Sequence, residues 1–180
     1  MIESLLLKIN HASAEAIHIQ FWTLAEKLIN ESELLSTASF IQHGNTTVLL
    51  HSIAVAYYSY LISSAFRRKD LYKSELITGA LFHDYFLYDW HIADKSHRLH
   101  GFYHPKKALE NTRKIMELTE REQNIIIRHM FPLTLIPPKY FESVLVCVVD
   151  KSCSVYETFR KDAYPNLIEI VKMTEEQKEI

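Results

Sequence analysis

Glycine and proline are scarce in this chain, three and five among 180 residues. Tight turns draw heavily on both, so a sheet-rich domain is disfavoured and helices joined by short connections are expected. Cysteine is nearly missing too, with Cys147 and Cys153 alone. Their spacing on one helix puts them on separate faces, which argues against a disulfide and favours a reducing, cytoplasmic setting. No block of basic residues occurs and the formal charge is −2. A broad cationic face for nucleic acid is therefore not expected. No run approaches the ~18 apolar residues of a membrane span. The start, Met1 to Lys8, carries Glu3 and only a very short apolar run, so it reads as a helix and not as a signal peptide.

What is present suits one helical domain. Hydrophobic residues make up 48% and charged residues 23%, enough apolar side chains for a sizeable single core. Leu5, Leu6, Ile9, Ile17, Phe21, Leu24, Leu28 and Ile29 recur at helical spacing. Ser36 to Ser39 and His43-Gly44-Asn45 read as connections, and a long helix is expected from Thr46 to about Arg67. Ser74 is the expected cap of the next helix, which ends on His83-Asp84. Tyr85 to Gly101 lacks a period and reads as a long loop, and Pro105 suits the first turn of a helix running to about Leu118. Thr119-Glu120-Arg121-Glu122 has the capping-box pattern, and that helix should stop before Pro132. A last long helix is expected from about Tyr140 to Arg160.

His83-Asp84 stands out within that pattern. Two polar, metal-capable groups follow a hydrophobic run directly, and their burial is costly unless something compensates them. A bound cation is the simplest compensation. Further potential ligands, His51, His104, His129 and Asp150, lie on other expected helices or beside them. A helical bundle can bring such side chains together in its core. Imidazole nitrogens with carboxylate oxygens suit a divalent transition metal: iron, manganese, cobalt, nickel or zinc.

The stretches His51-Ser52-Ile53-Ala54-Val55-Ala56, Leu81-Phe82-His83-Asp84 and Val148-Val149-Asp150-Lys151 reproduce a known order, His…His-Asp…Asp. In this the chain resembles the HD-domain superfamily of metal-dependent phosphohydrolases, from about Thr46 to Glu157. The resemblance implies an all-α, single-domain helical bundle. Residues 1–40 would form N-terminal helices packed on the core, 41–165 the metal-binding domain and 166–180 a charged tail. It also implies that His51, His83, Asp84 and Asp150 hold a first divalent ion. His104 and His129 match the extended pattern, in which Asp84 bridges to a second ion. The chain departs from many members in following His-Asp with Tyr85-Phe86-Leu87, so a lysine often found there is missing.

The implied activity is hydrolysis of a phosphate ester or anhydride by a metal-activated hydroxide, with a phosphorylated small molecule, foremost a nucleotide, as substrate. Asp84 would position the nucleophile and His91 would serve as proton donor to the leaving group. Lys106, Lys107, Arg128 and Lys151 adjoin the ligands in sequence and could bind phosphate, although each equally suits a solvated surface. Two rivals use the same residues: a di-iron oxygenase, and a regulatory module that binds nucleotide or metal without turnover. A structural or interaction role for the N-terminal helices, homo-oligomerisation included, is compatible with catalysis.

His43 is expected in a turn, and His97 and His100 on a solvated loop, while Trp90 in Asp89-Trp90-His91 would pack over something. Tyr57, Tyr58 and Tyr60 could stack on a nucleobase but are expected to pack in the core, and His11 and His18 to be ordinary residues of an amphipathic helix.

Overall fold

The computed structural model describes residues 11–66, 71–90 and 99–168. The described residues are mostly helical. Six α-helices, α1 (His11–Asn30), α2 (Val48–Ala65), α3 (Lys73–Leu81), α4 (His100–Ile115), α5 (Glu120–Arg128) and α6 (Phe141–Phe159), are joined by a 3-10 segment, Leu34–Ser39, and one small hairpin. The hairpin pairs β1 (Ile41–His43) with β2 (Thr46–Thr47) in antiparallel register, with Ile41 opposite Thr47 and His43 opposite Thr46.

Helix α2 is the central element because its sequence leaves it nothing to show to solvent. Between Val48 and Ala56 every residue is buried, His51 and Ser52 included. A helix apolar on all sides belongs inside a fold or inside a membrane. Contrary to the sequence expectation, α2 is long and apolar enough to cross a membrane by length and composition, but 67% of it is buried within this fold. The Thr47 hydroxyl caps it by accepting from the Leu50 amide at 3.2 Å.

Around α2 pack α3, α6 and α1, and α5 closes the core against α3, α4 and α6. Phe21 and Ile29 of α1, Leu49 and Ile53 of α2, Leu76, Ile77 and Leu81 of α3, and Ile125 and Ile126 of α5 are all essentially inaccessible. Each contributes about 1.5–3 kcal/mol of apolar burial. Helix α3 reaches α5 at Gly79, where an added Cβ would lie 2.7 Å from the Ile125 side chain. One turn beyond this contact along each chain segment stand His83 and His129, so a glycine in α3 lets the two histidines approach.

Several boundaries differ from the sequence expectation. Helix α3 is capped at Tyr72 and not at Ser74, and Tyr72 has no side-chain cap bond. Its amide instead donates to Glu142 Oε1 at 3.1 Å, so a carboxylate from α6 satisfies the helix end. Helix α4 begins at His100 and contains Pro105 internally. His104 therefore sits within a helix and not ahead of one. Pro105 lacks only the amide that would have bonded to Gly101. The capping box at Thr119 and Glu122 is present as expected, and α6 lies within a residue of its expected limits.

Both cysteines are buried and unpaired, and burial raises the Cys153 thiol to about 11. Tyr60 is buried, with its hydroxyl donating to Gln20 at 3.1 Å, while Tyr57 and Tyr58 are half-buried. His18 lies edge-on to Trp22 and Tyr57. Leu167, just before the end of the described chain, joins the core at 5% exposure.

Candidate metal centre

Helices α2, α3, α4, α5 and α6 each deliver one or more of the expected ligands to a single point. His51 comes from α2, His83 and Asp84 follow α3, His104 stands on α4, His129 caps α5 and Asp150 is midway along α6. All six are buried, at 0–5% exposure. Four overlapping groups of their donor atoms, or of these with neighbours, lie within 4.8 Å of one another.

The hydrogen bonds of the four imidazoles determine what they offer. Carbonyl and carboxylate oxygens only accept, so the ring nitrogen facing one of them carries the proton. His83 Nδ1 donates to the Ala80 carbonyl at 2.6 Å and His129 Nδ1 to the Ile126 carbonyl at 2.7 Å. These carbonyls belong to the last turns of α3 and α5, where helix carbonyls lack internal partners. His104 Nδ1 donates to the His100 carbonyl at 3.0 Å, and His51 Nδ1 donates to Glu157 Oε2 at 2.9 Å. All four rings are thus locked with Nε2 turned inward, as metal-ligating histidines usually are.

Asp84 sits between two pairs of these nitrogens. Its Oδ2 lies 3.7 Å from His51 Nε2 and 3.4 Å from His83 Nε2. Its Oδ1 lies 3.1 Å from His104 Nε2 and 3.4 Å from His129 Nε2. Asp150 Oδ1 completes the first side, 3.2 Å from His51 Nε2 and 3.7 Å from His83 Nε2. The second side is more demanding. His104 Nε2 and His129 Nε2 face one another at 2.8 Å, while each Nδ1 donates to a helix carbonyl. With both rings neutral, two lone pairs at that distance repel, and a cation lying against both removes the repulsion.

Two further observations point the same way. His83 Nε2 and Asp84 Oδ1 are buried without a hydrogen-bond partner, a state native proteins seldom tolerate. The cluster also gathers three buried carboxylates, Asp84, Asp150 and Glu157, which need positive charge nearby. Burial opposes ionisation of Asp84, yet the facing His83 and His104 rings outweigh it and hold this carboxyl well below its usual range. Asp150 is lowered likewise, with the His51 hydrogen bond and the nearby His83 ring overcoming burial. Burial disfavours the His51 cation, but Asp150 and Glu157 raise it well above the ordinary histidine value. His129 goes the other way, lowered chiefly by burial. The donor set, nitrogen and carboxylate oxygen in a water-poor core, fits a divalent transition metal.

The remaining expected site residues scatter. His91 and His97 fall outside the described residues. Lys106 is 73% exposed and faces Glu110 at 3.9 Å on the surface of α4, and Lys107 is exposed beside it. Arg128 is half-buried. Lys151 lies at the rim: its Nζ donates to the His129 carbonyl at 2.6 Å and stands 3.9 Å from Asp150 Oδ2. His100 is not a solvated loop residue. It stacks between Trp90 and His104, with centroids 5.1 and 4.5 Å away, and meets the Tyr88 hydroxyl at 2.9 Å. Trp90 thus packs over a ring adjoining the second side of the centre.

Three contributors escaped the sequence reading. Glu157 follows Asp150 by two turns of α6, a spacing that could have revealed it. His43, expected in a turn, ends β1 and meets the His51 ring edge-on at 5.4 Å. Gln42 donates through Nε2 to Asp84 Oδ2 at 2.5 Å, and nothing in the local sequence period marks it. Gly44 permits both approaches: at φ 57° it turns the hairpin, and a Cβ there would lie 2.5 Å from the Glu157 carbonyl oxygen. No protein-family model, curated protein or solved structure matches this chain.

Proposed function

We propose that the chain is a metal-dependent phosphohydrolase of the HD-domain type, acting on a phosphate ester or anhydride, with a nucleotide as the favoured substrate. One observation carries this reading: the two oxygens of Asp84 face separate histidine pairs, His51 with His83 and His104 with His129. A carboxylate so placed suits a bridge between two cations. His51, His83, Asp150 and Asp84 Oδ2 would hold one ion, and His104, His129 and Asp84 Oδ1 the other. Bound divalent ions supply Lewis acidity towards phosphate oxygens and bring the pKa of water from about 15.7 towards ~7.

The chain's own groups prepare that chemistry. Glu157 and the carbonyls of Ala80, His100 and Ile126 each accept from an Nδ1, so all four rings turn Nε2 towards the centre, where a cation would take the place of any proton held there. Burial excludes bulk water and strengthens electrostatic interactions at the centre. Lys151, with 41% of its side chain exposed beside the 7% exposed Asp150, offers a cation to an entering phosphate. Lys106 and Lys107, on the outer face of α4, are less suited to that role.

The test is to strip the protein with chelator, reload it separately with manganese, iron, cobalt, nickel or zinc, and screen phosphatase activity across nucleotides. Activity that appears on reloading and is missing in Asp84→Ala supports the reading. Full activity in metal-free protein contradicts it, and oxygen consumption by the iron form without phosphate release would favour oxygenase chemistry.

A further inference from the structure

We propose that Gln42 is a two-ended positioning residue of this centre, whose amide nitrogen fixes Asp84 and whose amide oxygen accepts a hydrogen bond from a water or hydroxyl group held there. The inference rests on the metal-centre reading above and concerns a residue outside the ligand set.

Gln42 is the middle residue of β1 and faces inward at 5% exposure, while Ile41 before it is exposed and His43 after it half-buried. An inward position on a strand facing a core ordinarily takes an apolar side chain, so a glutamine needs a reason. Half of that reason is visible. Nε2 donates to Asp84 Oδ2, the oxygen that also faces His51 and His83. The orientation of the amide follows from chemistry: reversed, its oxygen would confront a carboxylate oxygen, two acceptors without a proton between them.

The other half is an acceptor left over. With Nε2 fixed on Asp84, Oε1 is buried and has no hydrogen-bond partner among the described residues. It shares that condition with His83 Nε2 and Asp84 Oδ1, both of the same centre. The latter two suit a cation, whereas an amide oxygen suits a hydrogen-bond donor. Water or a hydroxyl is the donor chemistry a hydrolytic centre contains, and an acceptor beside it would set its orientation.

The hairpin is built to keep Gln42 there. The Val48 amide donates to the Phe40 carbonyl at 2.9 Å, tying the start of β1 to the start of α2. Gly44 lets the hairpin tip lie against the backbone of Glu157. The same short segment thus touches α2 and α6, the helices that carry His51 and Asp150.

The experiment is titration of the full-length, chelator-treated protein with Mn(II) alone, comparing wild type with Gln42→Leu and Gln42→Met, with thermal unfolding followed in parallel. Water-proton relaxation of the manganese-loaded samples reports water held at the ion. Met is the second variant because its flexible chain fills the same space if the branched one disturbs folding. An unrelated destabilised variant, Arg121→Ala, controls for stability. The expected result is a loss of Mn(II) affinity of about 10–100-fold with altered water relaxation in the Gln42 variants, and neither change in Arg121→Ala. Wild-type affinity and relaxation in a folded Gln42 variant would overturn the proposal while leaving the centre intact. Absence of Mn(II) binding by wild type would remove the centre and the proposal together.

Discussion

Two clusters of charged residues lie between the helices of this protein, and they are completed in opposite ways. Arg121 on α5 donates through Nε to Glu75 at 2.7 Å and through Nη1 to Glu142 at 2.9 Å. Its guanidinium also lies over the rings of Tyr72 and Tyr140, 4.0 and 4.5 Å from their centroids, and Glu142 accepts the Tyr72 amide as well. Every group there has a partner within the chain. In the histidine cluster the rings are held with equal care on their outer nitrogens, yet His83 Nε2 and Asp84 Oδ1 at its centre are left without a hydrogen-bond partner. A charged cluster closed upon itself is a clamp; one closed on the outside and open within could hold an ion. Burial is common to both and does not tell them apart.

Breaking the centre of the open cluster should have the largest effect. Asp84→Ala removes the group common to both histidine pairs, and its divalent-metal affinity should fall by about 100-fold or more, read by metal analysis and calorimetric titration.

Arg121→Ala tests the opposite expectation. It leaves Glu142, whose side chain is 2% exposed, with the Tyr72 amide as its partner. Because Arg121 keeps 20% of its side chain in solvent, the loss should fall below the about 3–5 kcal/mol of a fully buried pair. Urea unfolding should record that loss, and metal affinity should stay at the wild-type value. A variant that lost metal and stability together would erase the distinction between the clusters.

Glu157→Gln sharpens the comparison within the centre. The carboxamide still accepts from His51 Nδ1 but no longer carries charge, so metal affinity should drop by about tenfold, the lower end of such outer-partner effects. Calorimetric titration reads it directly. The smallest effect belongs to Lys106→Ala, where the exposed pair with Glu110 should contribute less than about 0.5 kcal/mol to unfolding and nothing to metal binding.

The six clustered side chains are legible in the sequence because polar, metal-capable residues stand out on apolar helices, and all six meet in one buried cluster that could hold a metal ion. Helix ends with local signals were equally legible, as at Thr119 and Glu122, whose reciprocal bonds depend only on neighbours. The start of α4 was not, because His100 to Tyr103 offer no apolar period and Pro105 suggests a later beginning. Nor was the cap of α3, which depends on Glu142 from a distant helix. Gln42 was invisible for the same reason. A lone glutamine in a strand of three residues gains meaning only when Asp84 is placed against it.

The central claim is that the four inward nitrogens and the two aspartates form a site for divalent metal. Calorimetric titration of chelated wild-type protein with Mn(II), set beside Asp84→Ala, tests it most directly. About two ions per chain are predicted for the wild type, with binding abolished or reduced to weak surface association in the variant. Heat-silent wild type confirmed metal-free by elemental analysis, or identical isotherms for the two proteins, would contradict the account.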